Sequence, residues 1–387
     1  MKILLYYWKA YSNFFLQIQL EKLGYTVIPW KDEGLIRDEE ESLERLSEEL
    51  KKGYQAVFSY NYFKTVAIAC NRQNTSYISW IQDSPLLSLY DNTAYLETNY
   101  FFCFDYEQYE AMKTRAVTHA YYFPLATDVK ALSEAADCIP EKEEYLADVS
   151  FVGSLYSERN MFSALDDLPD FLKGYIEGIC QAQLRIPGIR FSEVRVPENI
   201  MDTLKKILVF HGMEETKLTY EILVENLIDR QVTAVERNQM IQRLSEQFDF
   251  KLYTGTDTSH CPQVKNCGTV DYYKEMPKVF RQSKININIS LRSIRTGIPL
   301  RILDILASGG FVLTNYQEDL YRHFEEGKSI VTFYNLDDMI EKIHYYLEHE
   351  EERKSIMEEG RKIVCQEFDF PILLPQVLEL AGINHRL

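Results

Sequence analysis

Short β-branched or aromatic runs alternate with amphipathic runs along this chain, and the alternation occurs twice. In the first round "KILLYYW", "YTVIPW", "QAVFSY", "SYISWI" and "YFFCF" read as strands. Between them Leu16, Leu20 and Leu23 repeat at helical spacing up to Gly24, with Ser12 or Asn13 as N-cap. Leu43, Leu46 and Leu50 do the same up to Gly53, and "FKTVAIAC" reads as a third helix. Strands that alternate with helices make a parallel sheet covered on both faces. A polar, acidic stretch from Ser133 to Tyr145 marks a boundary, and "ADVSFVGS" restarts the pattern. Residues 158–247 carry helical patterning and read as an insertion after that strand. "FKLYTG", "GTVDYY", "KININIS" and "GFVLTN" are the strands expected next. From Asn335 the chain is helical, with Ile340, Ile343 and Leu347 on one face. The expected domains are 1–130 and 147–370, with 371–387 as a candidate return to the first. Two open α/β domains in tandem would face one another across a cleft at the carboxyl ends of their strands.

A length of 387 residues suits about two such domains. The net charge of −17 argues against a nucleic-acid backbone or an anionic membrane as partner. An anionic ligand would therefore need local positive charge. The seven cysteines are scattered without a C-x-x-C pair, which fits reduced thiols and a cytoplasmic protein. His260, Cys261 and Cys267 cluster without the usual zinc spacing, so no metal is expected there. No apolar run approaches the roughly 20 residues needed to cross a bilayer.

Local positive charge is found in "LRSIRTGIPLRILDILASGG", which follows the strand "KININIS". Pro299 suits the start of a helix over 300–307, and Gly297 suits a tight turn before it. Amides at a helix N-terminus stabilise an anion by about 0.3–2 kcal/mol. Arg292, Arg295 and Arg301 flank the same turn, and guanidinium geometry suits phosphate oxygens. Asp304, three residues beyond Arg301, is placed to accept hydrogen bonds from ribose hydroxyls; the two residues would otherwise form a surface ion pair. In "SFVGSLYSERN" a strand runs into Gly153 and a polar loop bearing Arg159, a plausible approach to a pyrophosphate. In "SYISWIQDSP" Asp83 follows a strand, either to deprotonate or orient an acceptor hydroxyl or to cap the next turn. In "GTVDYYKEMPKVF" Tyr272 and Tyr273 stand where an aromatic would cover a base or sugar, or simply pack. The chain has no P-loop, no G-x-G-x-x-G, no H-E-x-x-H, no G-x-S-x-G and no D-x-D. A leaving diphosphate would thus be balanced by arginines and a helix N-terminus, without a metal.

"DVSFVGSLYSERN", "SKININISLRSIRTGIPLRILDILASGGFVLTNYQEDL" and "GKSIVTFYNLDDMIEKIHYYLEHEEERKSIMEEGRKIV" together resemble the spore-protein-type (CgeB-like) glycosyltransferases of the GT-B group. The likeness covers about 147–370 apart from the insertion, and the first domain chiefly through "WIQDSP". It implies a GT-B fold of two Rossmann-like domains facing across a cleft. Gly153 then falls in the loop that approaches the donor diphosphate and Arg159 at its basic clamp. Gly297 and Pro299 lie in the turn under the phosphates, and Asp304 falls at the second acid of an E-x7-E signature that binds the donor ribose. Ser154, Tyr253, Tyr273, Arg292, Arg295 and Thr296 complete the implied donor site, with Asp83 and Arg301 as the catalytic candidates. Thr296 stands where the signature has its first glutamate, and Ser154 where a basic residue is common. "KAYSNF" replaces the glycine-rich loop that usually follows the first strand.

The expected activity is metal-independent transfer of a sugar from a nucleotide-diphosphate donor to a hydroxyl of a protein or glycan, with no separate cofactor. A non-catalytic GT-B-fold subunit of a glycosylation complex is the alternative, and a sugar-nucleotide epimerase of the same fold a third.

Overall fold

The computed structural model describes residues 1–8, 12–31, 39–138, 146–157, 169–186, 191, 197–203 and 220–383. They divide into two compact units. One comprises Met1–Val129, Arg295–Leu303 and Val364–Leu387, and the other Lys130–Ile294 and Asp304–Ile363.

The first unit holds a parallel sheet of β1 (Lys2–Tyr7), β2 (Thr26–Lys31), β3 (Ala56–Tyr60), β4 (Ser76–Ile81), β5 (Asn99–Cys103) and β6 (Ala120–Tyr122). Its strand order is β2-β1-β3-β4-β5-β6. The central strands are apolar on both faces because helices cover both: Leu4, Leu5, Val57, Phe58, Ile78, Trp80, Phe101 and Phe102 are all buried. The expected helices form as Asn13–Lys22, Glu39–Leu50 and Lys64–Arg72. Gly24 and Gly53 end the first two at positive φ, where a side chain would be strained. Ser12 does not cap its helix; its hydroxyl instead accepts from Gln82 Nε2 at 2.7 Å. The C-terminal helix Phe370–Leu380 belongs to this unit, tied in by backbone bonds between Thr127 and the 368–370 segment. Trp80 meets the Phe370 ring edge-on at 6.0 Å.

The second unit repeats the plan with β7 (Ala147–Val152), β8 (Phe250–Tyr253), β9 (Lys265–Asn266), β10 (Ser283–Asn288), β11 (Val312–Asn315) and β12 (Val331–Phe333). All its pairings are parallel, in the order β12-β11-β10-β7-β8-β9. Between β7 and β8 lie the helices Asp170–Arg185 and Tyr220–Gln247, which share an apolar core built on Leu172, Ile176, Val224 and Ile228. The second of these is also the β7–β8 crossover, so part of the expected insertion belongs to the basic fold. Asn335 caps the helix Leu336–Glu348 by accepting from the Asp338 amide, and Ile343 is buried in the sheet core.

One expectation about strands fails. "GTVDYY" is not a strand, because the Asp271 carboxylate accepts from the amides of Tyr273 and Lys274 and folds the segment into a turn. The short edge strands β6 and β12 carry no signal above that of a loop.

Candidate functional site

Each sheet reverses its strand order once, between β1 and β3 in the first unit and between β7 and β10 in the second. Ligands of open α/β sheets bind beyond the carboxyl ends of the strands at such a reversal.

In the first unit Asp83 lies just past β4 with an exposed carboxylate. Asn61, just past β3, holds it. The Asn61 Oδ1 accepts from the amides of Gln82 and Asp83 at 2.8 and 3.2 Å, and its Nδ2 donates to Asp83 Oδ2 at 2.7 Å. Asn61 adopts φ 59°, a left-handed conformation that asparagine tolerates better than most residues. Gln108 donates to the Asp83 carbonyl at 3.1 Å. The outcome is an oriented, solvent-facing carboxylate, able to accept a proton from a hydroxyl.

The turn before the helix Leu300–Ala307 meets an anion, and that anion is the chain's own Asp105. Its Oδ2 accepts the Arg295 amide at 2.6 Å, and the Thr296 amide and the Ser84 hydroxyl also bond to it. Its Oδ1 caps the helix Tyr106–Thr114 through the Glu107 amide. Burial pushes the Asp105 carboxyl above its ordinary range, partly offset by these amides. The two amides just ahead of Gly297 are thus engaged by a carboxylate. Thr296, in the place of the signature's glutamate, is buried and accepts the Tyr106 amide through its hydroxyl at 3.0 Å. Gly297 is needed for a close approach: a Cβ there would lie 2.5 Å from Phe104 Cδ2 and 2.6 Å from its carbonyl oxygen. Pro299 precedes the helix, and its carbonyl accepts the Ile302 amide. Arg295 is half-buried, 3.9 Å from the Glu107 carboxylate, and Arg301 is half-buried in the first helical turn.

In the second unit Gly153 and Ser154 leave β7 at the reversal. Arg237, from the crossover helix, donates to the carbonyls of Ser154 and Ile289 and so joins the ends of β7 and β10. Its guanidinium lies 5.2 Å from the Phe151 ring centroid and 4.8 Å from that of Tyr156. A cation at this position offers a diphosphate more than the bare Gly153 loop does. Ser154 Oγ accepts from the Tyr156 amide at 2.9 Å. Tyr253, at the end of β8, is buried against Val279.

Arg292 makes a bidentate pair with the buried Glu236 of the crossover helix, and its amide donates to Thr233 Oγ1 at 3.0 Å. Burial opposes its charge, but Glu236 more than compensates and holds the guanidinium protonated. Its charge is therefore already balanced within the unit. Asp304 is buried and its Oδ2 accepts from the Tyr272 hydroxyl at 3.0 Å. Tyr273 packs edge-on against Tyr272 and stays half-buried. Arg159 lies outside the described residues. Among the described residues no three His, Cys, Asp or Glu side chains are grouped to hold a metal. Among them, too, no helix is long and apolar enough to cross a membrane.

Two parallel Rossmann-like units of this topology define the GT-B fold, and comparison with known proteins agrees. Residues 230–371, from the crossover helix to the start of the last helix, match a family model described as "Glycosyl transferase-like". An uncharacterized protein of Aquifex aeolicus is 27% identical over 142 residues, which is 35% of this chain and 34% of that protein. The chain thus spans about a third of the length of this curated relative. Among solved structures, a glycosyltransferase from Rickettsia africae aligns over 98% of this chain and 97% of its own, with a TM-score of 0.53 at 11% identity. Anabaena HepE in complex with UDP and glucose aligns over 99% of both chains, with a TM-score of 0.50 at 12% identity.

Proposed function

We propose that this protein transfers a sugar from a nucleotide-diphosphate donor to a hydroxyl-bearing acceptor, a protein or a glycan. The observation that carries this is the reversal point of the second sheet. There Arg237, a cation inside the stretch that matches the glycosyl-transferase family, donates to the Ser154 and Ile289 carbonyls beside the polar Gly153–Ser154 loop. Positive charge stabilises the departing diphosphate in this reading, with Arg237 the candidate in the second unit and Arg301 the candidate in the first, and no metal takes part. Asp83, oriented by Asn61, takes the acceptor proton if the reaction inverts the anomeric centre. The CgeB-like subtype, with its cytoplasmic location and its ribose role for Asp304, belongs to the same proposal.

The test is a thermal-shift panel of UDP, GDP and dTDP-sugars, followed by transfer assays. A ligand bound only by the folded state raises Tm by mass action, about 2.7 kcal/mol of stabilisation at a hundredfold excess over Kd. Arg301→Ala should remove most of the shift. Asp83→Asn should keep the shift and lower transfer by about 10²-fold or more. A shift untouched by Arg301→Ala rejects the assignment of that residue.

A second reading, a non-catalytic binding subunit, draws on one observation: Asp105 already engages two amides of the turn, and Thr296 replaces the glutamate. Nucleotide-sugar binding without hydrolysis or transfer to any acceptor would favour it.

A further inference from the structure

The second unit contains a cavity of about 400 Å³ between the crossover helix, Ser157 of the loop after β7 and the loop that follows β8. Its size is that of a small-molecule site. Among the described residues that line it none is charged, although the chain as a whole carries a net charge of −17. The wall is built from the carboxamides Gln231, Asn238, Gln239, Gln242 and Gln263, together with His260.

The absence of charge decides what the cavity suits. A phosphate, a carboxylate or a metal ion finds no counter-charge among the described lining residues, and its desolvation would go uncompensated by them. A carboxamide offers N–H donors and a carbonyl acceptor within one rigid group. That matches a vicinal pair of sugar hydroxyls, each of which donates and accepts. Ala234, Val235 and Cys261 add the apolar wall that a sugar ring's C–H face needs.

The polar groups are also arranged for an incoming partner. Asn238 is fixed at both ends, its Oδ1 2.7 Å from His260 Nε2 and its Nδ2 2.7 Å from the Ala234 carbonyl. By contrast, Gln239 and Gln263 have no hydrogen-bond partner among the described residues. The Gln231 Oε1 is buried with no donor among the described residues.

We propose that this cavity binds a residue of a neutral saccharide chain through its carboxamides, apart from any nucleotide held at the strand ends. If the glycosyltransferase reading is right, the bound chain is part of the acceptor or product glycan. The binding itself does not depend on that reading.

The experiment titrates the full-length protein with neutral tetrasaccharides of glucose, mannose, galactose and N-acetylglucosamine, followed by ligand-observed NMR. At least one should bind, and the Gln239→Ala/Gln263→Ala double variant should weaken it about tenfold or more. Both positions border the cavity and leave the sheet core intact, and a wild-type circular dichroism spectrum checks the fold. The nucleotide-sugar thermal shift should be the same in this variant as in the wild type. Failure of all four sugars to bind at about 10 mM overturns the proposal, as does binding that the double variant leaves unchanged. Loss of the nucleotide shift in the variant also overturns it, because the cavity would then be a nucleoside site. Failure of the glycosyltransferase reading would look different: no nucleotide shift in either protein, with saccharide binding retained.

Discussion

Gly297 shows how one residue's trait can be legible in the sequence while a contact that demands it is not. Its setting in "RTGIP" suggests a glycine placed for a phosphate, whereas the contact that excludes a side chain is with Phe104. Substitution should therefore act on stability whether or not any nucleotide is present. Gly297→Ala puts a methyl against a backbone carbonyl, which cannot rotate away as a side chain can. Overpacking of this kind costs about 1–3 kcal/mol. Urea unfolding should show that loss in the absence of ligand, and an unchanged midpoint would mean that the turn can move off Phe104. Asp105 carries a comparable lesson. An Asp ahead of a helix announces an N-cap, and it is one, yet its second oxygen reaches the Arg295 amide 190 residues away. Nothing local in the sequence signals that second contact. Arg301 and Asp304, a charged pair within an apolar helix, likewise have separate settings: Arg301 is half-buried, while Asp304 is buried under the Tyr272 hydroxyl.

Among the elements, strands were legible by two signals: β1, β3, β4 and β5 are largely apolar runs, whereas β7 and β10 alternate apolar with polar residues. β6 and β12 have three residues each, too few for any periodicity to register. The crossover helix Tyr220–Gln247 was legible as a helix but not as a scaffold for charge. Arg237 reaches carbonyls 83 and 52 residues away, and Glu236 binds an arginine 56 residues away. Spacing arguments stop at a few turns of helix, so such partners are invisible to them. The Glu236–Arg292 pair now links this helix to the loop after β10. Removing one partner leaves the other charge buried alone, at a cost of about 3–5 kcal/mol, whereas removing both is far milder. Glu236→Ala should thus unfold at markedly lower denaturant, and Glu236→Met/Arg292→Met should recover most of that loss. Equal destabilisation by the single and double variants would show that the pair does not act as a unit.

For the whole molecule, the relevant link is where the chain returns to the first unit through Asp369. The Asp369 carboxylate accepts the Val129 amide at 3.2 Å, next to the backbone bonds between Thr127 and the 368–370 segment. Asp128, its neighbour there, accepts from Gln19 Nε2 at 2.7 Å. Burial, reinforced by the Asp128 charge and only partly opposed by the Val129 amide, pushes the Asp369 carboxyl up to about 6. The unfolded chain holds the same group near its ordinary value of about 3.9. Between those two values the folded state binds more protons than the unfolded one, so this group makes stability fall as pH rises. Below about pH 4 both states are protonated and the penalty vanishes; above about pH 6 both are ionised and it is complete. Asp369→Asn keeps an oxygen for the Val129 amide and removes the titration. The Tm difference between variant and wild type should be near zero at pH 4, grow through pH 6 in favour of the variant, and then level off. A difference that does not vary with pH, or that favours the wild type at pH 7, would show that ionised Asp369 is not disfavoured where the C-terminal helix joins the first sheet.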